Sequence, residues 1–342
     1  GAEENGGPIS IVDTDPGGVT VGNDVIPTPN GSDINNSIPS TPLVITPDTA
    51  FGIPWRGAMV YVNDLEGKIT KINLTNSDEN GADLFDQTTL FKLNASTDNA
   101  RYSYFSMDAG IGYSDSQFYL FGSTGNFTDL GGREEGLDNI LYGVKDIDFP
   151  FFNPNGRISG GAHTAVPKGS DDDFIVKANQ NADQADSIED AVICNDVTGD
   201  VFGDRCPTPS KKAWYIALDK DSSGSFISPR QYFKASASPT LFSGKVYFPV
   251  YRPPSGQNKC NQGNAYICVA DDECGTNKSQ GLQTNASIST NNDVDTDTTS
   301  GTGAQEAVTI GTENNACAYI SEGVLSELVV FGTNLYANVA GP

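Results

Sequence analysis

Basic residues and histidine are scarce in this 342-residue chain: 20 Lys and Arg stand against 44 Asp and Glu, with one His, and the formal net charge is −24. A protein that coats DNA or RNA needs clustered cations to displace counterions from phosphates, and a field of this sign repels a polyanion, so nucleic acid is not an expected partner. No run approaches the roughly 18 apolar residues that read as a membrane-spanning helix, so no membrane span is expected. The chain opens Gly1-Ala2-Glu3-Glu4 rather than with Met and a signal peptide, and a processed protein or a fragment is expected. His163 has no second histidine with which to form a usual zinc set, and no Cys-x-x-Cys pair occurs. No Gly-x-Ser-x-Gly elbow accompanies it either, so His163 reads as a buried or turn-capping residue rather than a general base. Paired glycosidase carboxylates have no positive signal, because their spacing is spatial and 44 acids give many accidental pairs.

What is present points to β structure. Hydrophobic residues make up 37% of the chain, enough for a core though not a rich one. Length suggests about two domains, but all-β folds of this size often form one. Residues 1–50 are rich in Gly, Pro, Asn, Asp, Ser and Thr with short apolar pieces such as Leu43-Val44-Ile45, and read as an extended arm or a weak first strand pair. Residues 51–342 form the expected main domain. Its β-branched and aromatic runs predict strands at Met59–Val62, Gln117–Phe121, Ile140–Val144, Trp214–Leu218, Lys245–Phe248, Ala265–Val269 and Leu328–Phe331. Between Asp183 and Ile193, Ala185, Ile188 and Val192 share a helical stripe, so one short helix is expected there.

Val60 to Leu74 reads as two strands joined by a turn centred on Asp64–Gly67, with weaker relatives at Phe118–Gly125 and Val329–Tyr336. Recurrent hairpins with Gly at the turn are what propeller blades look like. The spacing is uneven, so the expected fold is all-β: an irregular, degenerate β-propeller with long loop insertions and at most one or two short helices.

The cysteines, Cys194, Cys206, Cys260, Cys268, Cys274 and Cys317, lie in the second half of the chain and allow fifteen connectivities. Pairs such as Cys194–Cys206 and Cys260–Cys268 would staple Pro- and Asn-rich excursions, as exported proteins do, against the alternative of six free buried thiols.

Four stretches resemble the C-terminal propeller domain of PilY-type type IV pilus biogenesis factors and tip adhesins. Arg56–Ile69 looks like the family's strand-Gly-Asp-x-x-Gly hairpin, with Asn63 where Gly is usual. Phe118–Phe127 followed by Asn139–Asp146 resembles its "FGTGRY … FYGI-D" segment. Ala213–Leu218 followed by Ser238–Phe248 resembles its "GWY-x-L … VYF" pairing, and Asn258–Val269 is similar to its Cys-x-x-Gly-x-x-x-(Leu/Ala)-Tyr strand. The resemblance spans Phe51 to Val339. It implies an extracellular, cell-surface protein, exported through the periplasm, that supports type IV pilus assembly or display through contacts with pilins or minor pilins and with host or abiotic surfaces, without catalysis. The family's Asp-rich calcium loop, expected at Thr46–Trp55, keeps only Asp48.

Calcium is the one cofactor for which other positions offer ligands. Asp219, Asp221 and Ser223 alternate oxygens ahead of Gly224, like half an EF-hand loop, but the twelfth position is Arg230 rather than Glu. The alternative is a plain hairpin turn joining Trp214–Leu218 to Phe226–Ile227. Asp293, Asp295 and Asp297 alternate within the polar segment Gly275–Gln305, which reads equally as a solvated insert. Asp78–Asp83 and Asp196–Asp200 are weaker versions and read first as turns. Tyr102, Tyr104 and Tyr113, or Phe149, Phe151 and Phe152, are candidates for an adhesive patch, against filling of blade cores. Two other functional classes share the pattern. A quinoprotein dehydrogenase uses similar blades, but brings a stacking Trp, adjacent cysteines and a regular repeat, whereas this chain has two Trp, no adjacent cysteines and an irregular period. A surface filament subunit would self-assemble without pilin.

Overall fold

The structure is a computed structural model that describes residues 37–46, 58–65, 67–74, 87–96, 98–113, 116–150, 186–187, 192–193, 213–220, 225–254, 262–273, 275, 307–309, 316–332 and 334–340. Its chain is built from short strands. The first four, β1 (Leu43–Ile45), β2 (Met59–Asn63), β3 (Lys68–Asn73) and β4 (Gln87–Lys92), form an antiparallel meander. Gly67 makes the β2–β3 turn possible, since its φ of +70° lies where side chains are strained, and Asp64 closes it by accepting the Lys68 N–H at 2.9 Å.

A second meander follows: β5 (Asp108–Ile111), β6 (Phe118–Ser123) and β7 (Ile140–Asp146). Two short strands come next, β8 (Asp186–Ser187) and β9 (Val192–Ile193), before β10 (Ala213–Ala217) completes the second sheet against β7. β8 runs parallel to β4 and β9 parallel to β10. The helix expected at Asp183–Ile193 is therefore not formed at its described residues, because both pieces gain strand partners on existing sheets. Tertiary pairing outweighs a three-residue helical stripe.

The third sheet contains β11 (Lys234–Ala235), β12 (Thr240–Phe242), β13 (Lys245–Arg252), β14 (Asn264–Asp271), β15 (Ala307–Thr309) and β16 (Ala316–Glu322), with β11 and β12 sharing β13. Two small sheets pair β17 (Val324–Leu325) with β20 (Val339–Ala340), and β18 (Val329–Phe331) with β19 (Asn334–Tyr336). The helical turn at Phe127–Asp129, capped by the Asn126 side chain, is the only one among the described residues. The fold is all-β and irregularly propeller-like, with blades separated by long insertions.

Alternation of side chains across each strand explains how the blades stack. On β6, Phe118 and Leu120 join Met59, Tyr61, Ile69 and Phe91 of the first sheet. The intervening Tyr119 and Phe121 join Val246, Phe248 and Val250 of the third. On β10, Ala213 and Ala217 face the first core, while Trp214 and Ile216 face the second. The middle sheet is thus buried on both faces, which is why β6 and β7 read as continuous apolar runs instead of alternating ones. Each fully buried large side chain there contributes about 1.5–3 kcal/mol.

Cys268 on β14 lies opposite Cys317 on β16 and forms a disulfide with it, the Cα atoms 4.0 Å apart. This corrects the expected Cys260–Cys268 pair. Cross-strand register brings Cys317 to Cys268 from 49 residues away, a proximity that spacing along the chain does not reveal. Cys194, Cys206, Cys260 and Cys274 lie outside the described residues.

Candidate functional site

The seams between sheets carry buried charge. Lys71 on β3 and Asp146 at the end of β7 are each only 1% exposed and pair at 2.6 Å; the Tyr61 hydroxyl donates to the same carboxylate at 2.7 Å. A second network joins Arg101, Asp138 and Lys220: Arg101 pairs with the Asp138 carboxylate and donates to the backbone carbonyls of Asp138 and Leu93, and Lys220 Nζ reaches Asp138 at 2.7 Å. Lys234 is fully buried, its ammonium donating to the carbonyls of Asp129, Leu130 and Gly132. Desolvation lowers its pKa. These cations are satisfied internally and fasten loops to sheets.

The candidate metal loop takes a definite shape at its described end. Asp219 is buried, and its carboxylate accepts the Gln231 N–H at 3.1 Å and the Tyr232 N–H at 2.6 Å. Burial raises its pKa; the two amides and Arg230 oppose that shift. The Arg230 guanidinium lies 3.6 Å from the carboxylate and over the Phe226 ring, 3.8 Å from its centre. The residues flanking the candidate loop pair antiparallel, through a Lys220–Phe226 bridge and an Ile227 N–H to Asp219 carbonyl bond. Its carboxylate oxygens already serve two amides and a guanidinium, whereas calcium needs six to eight oxygens. Asp221, Ser223, Asp293, Asp295 and Asp297 lie outside the described residues, as do Asp48, Asp78–Asp83, Asp196–Asp200 and His163. No group of three or more His, Cys, Asp or Glu suited to a metal occurs among the described residues.

The aromatic candidates separate. Phe149 stacks on Phe118 at 4.2 Å and packs against the first core, so it is an anchor and not part of a patch. Tyr102 and Tyr104 are half-buried, while Tyr113 is 97% exposed. Phe151 and Phe152 lie outside the described residues. A surface not anticipated as sticky is the β18–β19 hairpin, where Val329, Phe331 and Tyr336 are 63%, 75% and 52% exposed. Val329 and Tyr336 are cross-strand partners, and the Phe331 and Tyr336 rings meet edge to face at 6.4 Å. The hairpin stands as a two-stranded sheet, so its outer backbone edges have no strand partner among the described residues. The available signal was the apolar run Leu328–Phe331, which read as a strand and, with Val329–Tyr336, as a weak hairpin. No helix among the described residues is long and apolar enough to cross a membrane.

No family model and no curated protein matches the chain. Among solved structures it is similar to the C-terminal domain of PilY1 from Pseudomonas aeruginosa, at 11% identity and a TM-score of 0.45; the match covers 83% of this chain and 56% of that one.

Proposed function

We propose that this chain is a non-enzymatic, extracellular, pilus-associated protein that supports type IV pilus assembly or display and works by protein contact. The observation that carries the reading is the placement of the motifs that resemble the PilY-type domain. Arg56–Ile69 includes β2 and its turn and enters β3 of the first sheet, Phe118–Phe127 and Asn139–Asp146 include β6 and β7 of the second, and Ala213–Leu218 includes β10. Ser238–Phe248 includes β12 and enters β13, and Asn258–Val269 enters β14. The resemblance therefore follows the blades in order. The buried Cys268–Cys317 disulfide suits passage through an oxidising periplasm. The exposed apolar hairpin offers a protein partner both backbone edges and aromatic anchors.

On this reading the partners are pilins or minor pilins, with a host or abiotic surface beyond them. Calcium remains part of the proposal only as a loop-ordering ion at Asp293–Asp297, since the Asp219 carboxylate is already taken by two amides and Arg230. The test is affinity isolation of sheared filaments from cells expressing a tagged chain. Co-isolation with pilin, lost when pilin is deleted, supports the reading. Pilin-independent polymers would instead identify a filament subunit, and quinone-dependent dye reduction by alcohols or sugars would identify an enzyme.

A further inference from the structure

Three arginines gather where the second and third sheets meet. Arg230 is committed to Asp219, to the carbonyls of Glu135 and Leu137, and to the faces of Phe226 and Tyr232. Arg133 and Arg252 are placed differently. Neither has an ion pair among the described residues, although carboxylates outnumber cations 44 to 20 in this chain. Arg133 donates to the Pro253 carbonyl at 3.0 Å and lies 5.9 Å from the centre of the Tyr232 ring. Arg252 donates to Gln231 Oε1 at 3.1 Å and lies 5.3 Å from the centre of the Tyr266 ring. Gln231 adjoins Tyr232 and Arg252 adjoins Pro253, so the two guanidiniums flank one piece of surface.

Both arginines, together with Gln231, Tyr232 and Tyr319, are half-buried, each keeping part of its surface in contact with solvent. Each guanidinium carries five N–H donors in a planar fork, and one of each is used by the contacts just named. Carbonyls and aromatic faces hold the forks in place, and the carboxylates in the surroundings, Glu322 on the Arg252 side and Glu134 on the Arg133 side, form no ion pair with them. That is a preorganised receptor for a carboxylate, which accepts a bidentate pair of charge-assisted hydrogen bonds.

We propose that Arg133, Tyr232 and Arg252 form a docking site for a carboxylate of a protein partner, supplied by an Asp or Glu side chain or by a chain terminus. Local charge complementarity selects the carboxylate. The Arg and Tyr composition matches that of residues which dominate protein–protein affinity. The chain's net charge of −24 repels a highly anionic ligand, so the partner presents isolated carboxylates on a neutral or basic surface. The site does not depend on the partner being a pilus component.

The test measures binding of the peptide acetyl-Gly-Glu-Tyr-Glu-Gly-amide, beside its counterpart with both Glu replaced by Gln, and of sialyllactose, to the full chain by calorimetry. Arginine Nε–H signals are followed by NMR in the same titration. The expected result is saturable binding of the Glu peptide with shifts at Arg133 and Arg252, and affinity about tenfold lower for the Gln peptide and for the R133Q or R252Q variant. If one variant fails to fold, the other and the wild-type NMR shifts carry the test. Equal binding of the two peptides, absence of saturable binding at millimolar concentration, or unchanged affinity in folded R133Q and R252Q would overturn the site. Binding of sialyllactose without the peptide would overturn the protein partner.

Discussion

The Tyr61 hydroxyl and the Asp146 carboxylate belong to different sheets, yet they meet at 2.7 Å in a seam from which water is excluded, with Lys71 Nζ on the same oxygen at 2.6 Å. The triad fixes how the first blade sits on the second. Asp146→Asn removes the carboxylate that the buried Lys71 ammonium meets at 2.6 Å, a loss of about 3–5 kcal/mol. Denaturant unfolding of the variant checks this. The double replacement with Lys71→Met recovers much of the loss, because the buried ammonium that the carboxylate served is then gone as well. A loss below about 1 kcal/mol for Asp146→Asn would mean that the seam is wet.

Alkali attacks the same seams. Burial pushes Tyr142 up to about 12, and burial followed by Asp146 pushes Tyr61 well above its ordinary value of 10.0. A raised folded-state value means that the native protein keeps a proton which the unfolded chain gives up. Stability contributed by these hydroxyls is therefore complete below about pH 10 and falls as pH rises from there, through about 12 for Tyr142. Tyr142→Phe is expected to flatten the decline in unfolding free energy above pH 10, the Tyr142 share amounting to about 3 kcal/mol. An unchanged slope contradicts the assignment.

Asp272 gives a pH response in the acid range. Burial first, then its neighbours Asp271 and Glu273, raise its carboxyl to about 6. The folded state holds that proton more tightly than the unfolded chain, so its contribution is present below about pH 4 and is lost as pH rises through about 6. Asp272→Asn is thus expected to raise the thermal midpoint at pH 7 and to leave it nearly unchanged at pH 4. The group is half-exposed, so the gain is small.

The disulfide joins neighbouring strands while enclosing a 49-residue separation that contains a long polar insertion. Loop-closure entropy makes it worth about 4 kcal/mol, between the values for 15- and 100-residue loops. Cys268→Ala with Cys317→Ala is expected to lower the denaturant midpoint accordingly. Midpoints equal before and after reduction would contradict the bond.

Much of the fold was legible because β-branched and aromatic runs bounded by turn residues are a strong strand signal: the seven predicted strands all appear, as does the Asp64–Gly67 turn. Asn63, a departure from the resembling motif, has a reason that only the packing reveals. Its amide receives Ser40 and donates to Ser103 at 2.7 Å, tying the first sheet to the chain entering the second. The Asp183–Ile193 segment misled because β8 and β9 take their structure from distant strands. Cys268 was paired with a neighbour in sequence, whereas the strand register selects Cys317. The Arg133–Arg252 surface was invisible to motif reading because its members come from three separate segments and share no spacing rule.

The central claim, contact at a pilus through an exposed hairpin, is tested most directly by immunogold electron microscopy of cells expressing wild-type or Phe331→Ser/Tyr336→Ser chain. Both side chains are exposed, so the double variant is expected to unfold within about 1 kcal/mol of wild type. The account predicts gold on pilus filaments for the wild type and its loss for the equally stable variant. Equal labelling of filaments by both, or wild-type label confined to filament-free envelope, would contradict it.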